Sequence, residues 1–296
     1  MNPILSLSKS KIKPQEAEIY RALVRNLRRH RGFGILFVCC TPEQEQRIIK
    51  QVEEDLPQKK IAVLSLEEEI YNLYELIEAQ VQQQPINICF ITGIEKSFVN
   101  YIKPGIGGQG DYYKTDTVPP LLGHLNFQRE RFRDNFDCCL VFFVPWFGLK
   151  YFVRRSPDFY DWRSGVFRFP VDRELSEQES SQIIGDADYS KYLQLTAEER
   201  NHKILQLKDL ITESELTDLK KAELWREIGR LYDANQEYDR ALACFDKSVA
   251  IKPDFPKAWN NRGIALDDLV RYEDAITSFD KAVEIKPDDQ IGRAHV

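Results

Sequence analysis

The sequence predicts two domains of different class: an α/β domain with a parallel sheet over residues 1–170, followed by an all-α array of helical hairpins. Three observations predict this. Short apolar runs at Ile35–Cys40, Ile61–Leu66, Ile86–Thr92, Cys138–Val144 and Val166–Phe169 alternate with longer amphipathic segments, the pattern of buried parallel strands joined by helices. Residues 222–255 and 256–289 align without a gap at a period of 34, an interval typical of stacked helical hairpins. Between the two, residues 171–195 are polar and read as a linker.

The α/β elements follow in order. Residues 15–31 form a helix with Ile19, Leu23 and Leu27 on its apolar side and Arg25, Arg28, Arg29 and Arg31 on the other. Gly32 and Gly34 break it before the first strand. Thr41-Pro42 caps a second helix over 42–55, because Thr accepts from the first-turn N–H groups and Pro is preset for the first helical position. Further helices are expected over 67–83, 121–135 and 146–155, with a long Gly-rich loop from Lys103 to Pro120. Within that loop Gly105-Ile-Gly-Gly-Gln-Gly110 fits a dinucleotide fingerprint by letter only, since no strand precedes it and no helix follows. Trp162-Arg-Ser-Gly165 reads as a turn before the fifth strand.

The repeats carry their own logic. Trp225 pairs with Trp259, Gly229 with Gly263, Ala241 with Ala275, Phe245 with Phe279, and Pro253 with Pro287. Gly and Ala let the two helices of a hairpin approach, the aromatic rings fill the remaining space, and Pro stops the second helix. All ten are structural. Residues 196–221 read as a helical connector with apolar positions Ile204, Leu205, Leu207 and Leu210, covering the first repeat. Residues 291–296 abandon the repeat and resemble the translation of a sequencing adapter, so they are expected to be foreign to the array, which is expected to be a fragment of a longer one.

Composition excludes several function classes. A net charge of −6 and a pI near 5.5 argue against a general nucleic-acid binder, and the four arginines of the first helix read as a solvated face. No apolar run is long enough to cross a membrane, and Met1–Pro14 lacks the apolar core of a signal peptide. Six cysteines without metal spacing read as reduced, buried thiols, which places the protein in the cytoplasm. His30, His124 and His202 show no triad or metal-ligand spacing.

The period and the order Trp, Gly, Tyr, Ala, Phe, Pro resemble the tetratricopeptide repeat. That resemblance implies a superhelix whose concave groove, lined by the first helix of each hairpin, binds protein or peptide. The positions facing it would be Arg226 and Arg230 in the first repeat, with Lys257, Asn260, Asn261 and Ile264 in the second, a set suited to an acidic peptide. The N-terminal domain resembles the P-loop NTPase-like domain, related to STAND-class signalling NTPases, of bacterial and especially cyanobacterial tetratricopeptide proteins. The resemblance rests on Arg31-Gly-Phe-Gly34, Lys60-Ile-Ala-Val-Leu64, Phe90-Ile-Thr-Gly-Ile-Glu95, Leu125-Asn-Phe-Gln-Arg-Glu130 and Pro157-Asp-Phe-Tyr-Asp-Trp-Arg-Ser-Gly-Val-Phe167. It implies a sheet of order 5-1-4-3-2 and a phosphate-binding turn at Thr41, Pro42 and Glu43. That turn has neither the glycines nor the Lys that phosphates need, and Thr92-Gly93 stands where an acidic metal partner belongs, with Glu95 the nearest substitute. The expected function is therefore an adaptor or scaffold with a degenerate nucleotide site, no catalytic residues, no metal and no cofactor. The alternative is a regulatory ATPase, with ATP gating what the array binds.

Overall fold

A computed structural model of the chain describes residues 16–102, 118–170, 181, 188–213 and 216–286. They fall into two compact units, one bearing the sheet and one wholly helical. Pro287, the loop Lys103–Thr117 with its glycine run, and residues 291–296 lie outside the described residues.

In the first unit the elements run α1 (Ala17–Arg29), β1 (Gly34–Cys39), α2 (Pro42–Asp55), β2 (Ile61–Ser65), α3 (Leu73–Gln83) and β3 (Ile88–Thr92). There follow α4 (Pro120–Asn135), β4 (Cys139–Val144), α5 (Trp146–Arg155), α6 (Pro157–Asp161) and β5 (Arg163–Arg168). The five strands form one parallel sheet in the order β2-β3-β4-β1-β5, so β1 lies between β4 and β5 as expected. Every residue of β1, β3 and β4 is buried, because helices cover both faces. Strand alternation sends Leu36, Val38, Phe90, Val141 and Phe143 into one core with Leu23 and Leu27 of α1 and Ile48 and Val52 of α2. It sends Phe37 and Phe142 to the other face, where their rings stack at 5.3 Å and meet Phe152 of α5 and Phe159 of α6. Aromatic contacts of this kind add about 0.5–1.5 kcal/mol each beyond area burial.

Several boundaries differ from the sequence reading. Helix α3 starts at Leu73 rather than Glu67, because the chain first leaves β2 through a bond from the Leu66 N–H to the Thr92 carbonyl. The buried face of α1 is Tyr20, Leu23, Val24 and Leu27, with Ile19 only partly covered. Residues 163–165 are not a turn. They open β5, whose pairing with β1 jumps from Ile35↔Arg163 to Leu36↔Gly165 and leaves Ser164 as the extra residue of an irregularity. The short helix α6 supplies the turn instead, with Pro157 at its start.

The helical unit contains α7 (Tyr189–Gln194), α8 (Ala197–Glu213), α9 (Asp218–Ala234), α10 (Tyr238–Ile251), α11 (Pro256–Asp268) and α12 (Tyr272–Ile285). Helices α9 with α10 and α11 with α12 are the two hairpins. A Cβ placed on Gly229 would lie 2.4 Å from Phe245 Cε1, and one on Gly263 2.5 Å from Phe279 Cε1, so each glycine seats the ring sixteen residues on. Ala241 and Ala275 are buried. Trp259 Nε1 donates to the Pro253 carbonyl at 2.8 Å, tying the turn before α11 to that helix. The two hairpin turns repeat each other. Gln236 and Val270 both adopt positive φ, 60° and 62°, and Glu237 N–H to Tyr232 O matches Arg271 N–H to Leu266 O.

Part of the segment read as a linker is structured. Asp188 caps α7 through a bond from the Ser190 N–H, and Tyr192 enters the helical core beside Ile204, Leu207, Leu210, Leu224 and Ile228. The four expected apolar positions of α8 are buried.

Candidate functional site

Parallel α/β sheets hold ligands beyond the carboxyl ends of their strands, where the strand order reverses. Here that place is the turn after β1. Thr41 Oγ1 accepts from the Gln44 N–H at 3.3 Å, and Gln44 Oε1 accepts from the Thr41 N–H at 2.9 Å, a reciprocal capping box. Pro42 has no N–H to offer. Gln44 is fully buried, and its Nε2 donates to Glu16 Oε1 at 2.7 Å and to the Pro170 carbonyl at 2.8 Å. Arg47 closes on the same Glu16 carboxylate at 2.6 Å. The N-terminus of α2 is thus closed by its own side chains.

Acidic side chains line this edge. Burial, then the charge of Glu95, pushes Glu45 up from 4.5 to about 7, while Lys96 opposes the shift. Burial also raises Glu95. Gly93, at φ 74°, turns the chain sharply after β3 where an acidic metal partner would stand. Thr41, Pro42, Glu43 and Glu95 therefore lie at one edge, with Lys96 beside Glu45 and Glu95. Among the described residues no cluster of three or more His, Cys, Asp or Glu is placed to hold a metal.

The second place is the groove face of α9 and α11. Arg226 and Arg230 both bind Glu227, which sequence reasoning missed. Arg230 reaches Glu227 Oε2 at 2.9 Å, and Arg226 makes a short ion pair to Oε1. Glu227 has no exposed surface, and Tyr192 of α7 donates to it at 3.0 Å. Asp233 accepts from Tyr189 at 2.5 Å and also feels the charge of Arg230. Glu223 acts on Arg226 and Asp233 on Arg230 as well, so the two guanidinium groups sit among several carboxylates. Burial lowers the Arg226 pKa, Glu227 counters that shift and Arg230 adds to it. On α11, Lys257 is exposed while Asn260, Asn261 and Ile264 are half-buried. Arg226 Nε, Glu223 Oε2 and Asn260 Oδ1 are buried without a hydrogen-bond partner among the described residues. Buried polar atoms are nearly always satisfied, so these three mark a place where water or a ligand completes the bonding.

Residues 226–290 match the tetratricopeptide repeat family. That match covers α11, α12 and most of the first hairpin. Over 39 residues the chain is also 41% identical to the peroxisomal targeting signal receptor of Yarrowia lipolytica, a stretch that is 13% of this chain and 6% of that protein. The crystal structure of MamA is similar at 19% identity over 56% of this chain and 78% of its own, with a TM-score of 0.31. No helix among the described residues is long and apolar enough to cross a membrane.

Proposed function

We propose that this protein is an adaptor that binds an acidic peptide or protein segment in the groove of its tetratricopeptide repeats. The observation carrying this is the placement of Arg226, Lys257, Asn260 and Asn261 on the groove face of α9 and α11, where buried polar atoms of Arg226 and Asn260 have no hydrogen-bond partner among the described residues. Arg226 and Arg230 supply field more than fork, since Glu227 already holds their guanidinium groups. Direct contacts fall to Lys257, Asn260 and Asn261, with Ile264 as an apolar floor. The likeness to a protein named as a receptor for a targeting signal supports a peptide as the ligand.

The sheet unit, in this proposal, is a P-loop NTPase-like domain that has given up phosphate binding; its strand order and the self-capped start of α2 support that reading. Titration of the full chain with ATP and magnesium is expected to show no micromolar binding. For the groove, Lys257→Glu with Asn260→Asp leaves the Glu227 triad intact. It is expected to weaken an acidic peptide about tenfold, or ~1.4 kcal/mol. Unchanged affinity with unchanged helical content would move the partner site elsewhere.

A further inference from the structure

At the opposite edge of the sheet, where α1 ends and β1 and β5 begin, an open cleft of about 570 Å³ is lined by Arg25, Asn26, Arg29, His30, Arg31 and Ser164. Arg25 and Arg29 lie one helical turn apart, and Arg28 and Arg31 are close by in sequence. Among the described residues none of these four arginines has an acidic partner. Elsewhere the chain pairs surface cations along its helices with acids three residues away, as in Arg240 with Glu237, Arg271 with Asp274 and Lys281 with Glu284. Like charges at i, i+4 destabilise a helix. The C-terminal dipole of α1 accounts for Arg28 and Arg29 in the last turn, but not for Arg25 or Arg31.

Two further features are independent of the arginines. The His30 ring is clamped: it fills the space where Gly34 would carry a Cβ, at 2.1 Å, and Lys59 Nζ holds its carbonyl at 3.0 Å. His30 Nε2 is buried against Gly34 with no partner, so the ring forms a rigid wall of the cleft and is not a donor into it. On the other wall, the irregular pairing of β5 sets Ser164 out of register with β1, exposed at the cleft.

We infer that this cleft is an anion site for a phosphate monoester. Donors come from a helix, a turn and a strand, which suits a terminal tetrahedral group with three free oxygens; Arg matches such oxygens in pairs. A nucleic acid would need a longer basic stripe and aromatic faces for stacking. Neither lines the cleft, and the chain as a whole is acidic.

The test uses the full chain and titration calorimetry. A peptide carrying phosphoserine is expected to bind saturably and more weakly as salt rises, while its unphosphorylated form does not bind. Arg25→Ala with Arg29→Ala, both at exposed positions, should weaken the phosphopeptide at least about tenfold, and Ser164→Ala by a few fold. Glycerol phosphate binding as tightly as the peptide would assign the site to small monoesters; a clear preference for the peptide would assign it to a phosphorylated partner. Tighter binding of an oligothymidylate, affinity unchanged in the double variant, or no phosphate-dependent binding at all would overturn the inference.

Discussion

At the scale of single residues, fit and charge decide the outcome. Gly229→Ala puts a methyl group 2.4 Å from the Phe245 ring, which is itself buried and held between helices. The gain in helix propensity, roughly 1 kcal/mol, opposes an overpacking cost of about 1–3 kcal/mol. Net destabilisation by about 1 kcal/mol is expected in chemical denaturation. Glu45 sets a pH dependence. Its folded pKa, about 7, lies above the ordinary 4.5, so folding holds its proton more tightly. The fold keeps this contribution below the ordinary pKa and loses it as pH rises through the folded value. Glu45→Gln should therefore leave stability near pH 4 unchanged and raise it above pH 7 by about 1 kcal/mol, after allowance for solvent screening. Denaturation at the two pH values measures the difference. Glu227 shows why the groove was only partly legible. Helical spacing identifies which side chains share a face, yet it does not say that a buried carboxylate between two arginines will claim both.

Elements were legible where one local rule decides them. The Thr41-Pro42 pair places the start of α2 at the residue, because cap and proline agree; the structure adds the reciprocal bond from Gln44. The start of α3 was not legible: Glu67–Asn72 is rich in helix formers, but the chain leaves β2 by pairing Leu66 with Thr92 and becomes helical only at Leu73. Nor was α7, which is too short to show a period and gains its place only by burying Tyr192. Ser164 escaped notice because a register irregularity has no composition signal. The hairpin turns supply a test at this scale. Val270 is β-branched, 67% exposed and in the left-handed region, where an L-residue of its shape is strained by about 1–2 kcal/mol. Val270→Asn should stabilise the hairpin by about 1 kcal/mol, read as an upward shift in the thermal midpoint.

On the scale of the whole chain, the two units are built from contacts of opposite reach. Hairpins of the helical unit close over neighbours in sequence. The apolar face of α10 shows this, since Leu242 and Val249 are only 8% exposed beneath the next hairpin, whereas Ile276 and Val283 of α12 are 57% and 45% exposed. In the sheet, the central place of β1 came from the family resemblance together with the strand–helix alternation, with right-handed crossovers limiting the options. That position has a consequence in time. β1 finds its neighbours only at Cys139–Val144 and Arg163–Arg168, over a hundred residues further along. Such pairings close late, while local helical contacts form early. The four tryptophans divide evenly: Trp146 and Trp162 report on the sheet unit, Trp225 and Trp259 on the helical one. In stopped-flow refolding, a Trp225→Phe, Trp259→Phe variant should recover its fluorescence at least about tenfold more slowly than a Trp146→Phe, Trp162→Phe variant. On the ribosome, the apolar run Gly34–Cys39 emerges well before its partners and must wait for them. In that interval it is the stretch of this chain most exposed to mispairing with another copy, and the first that a chaperone would have reason to hold.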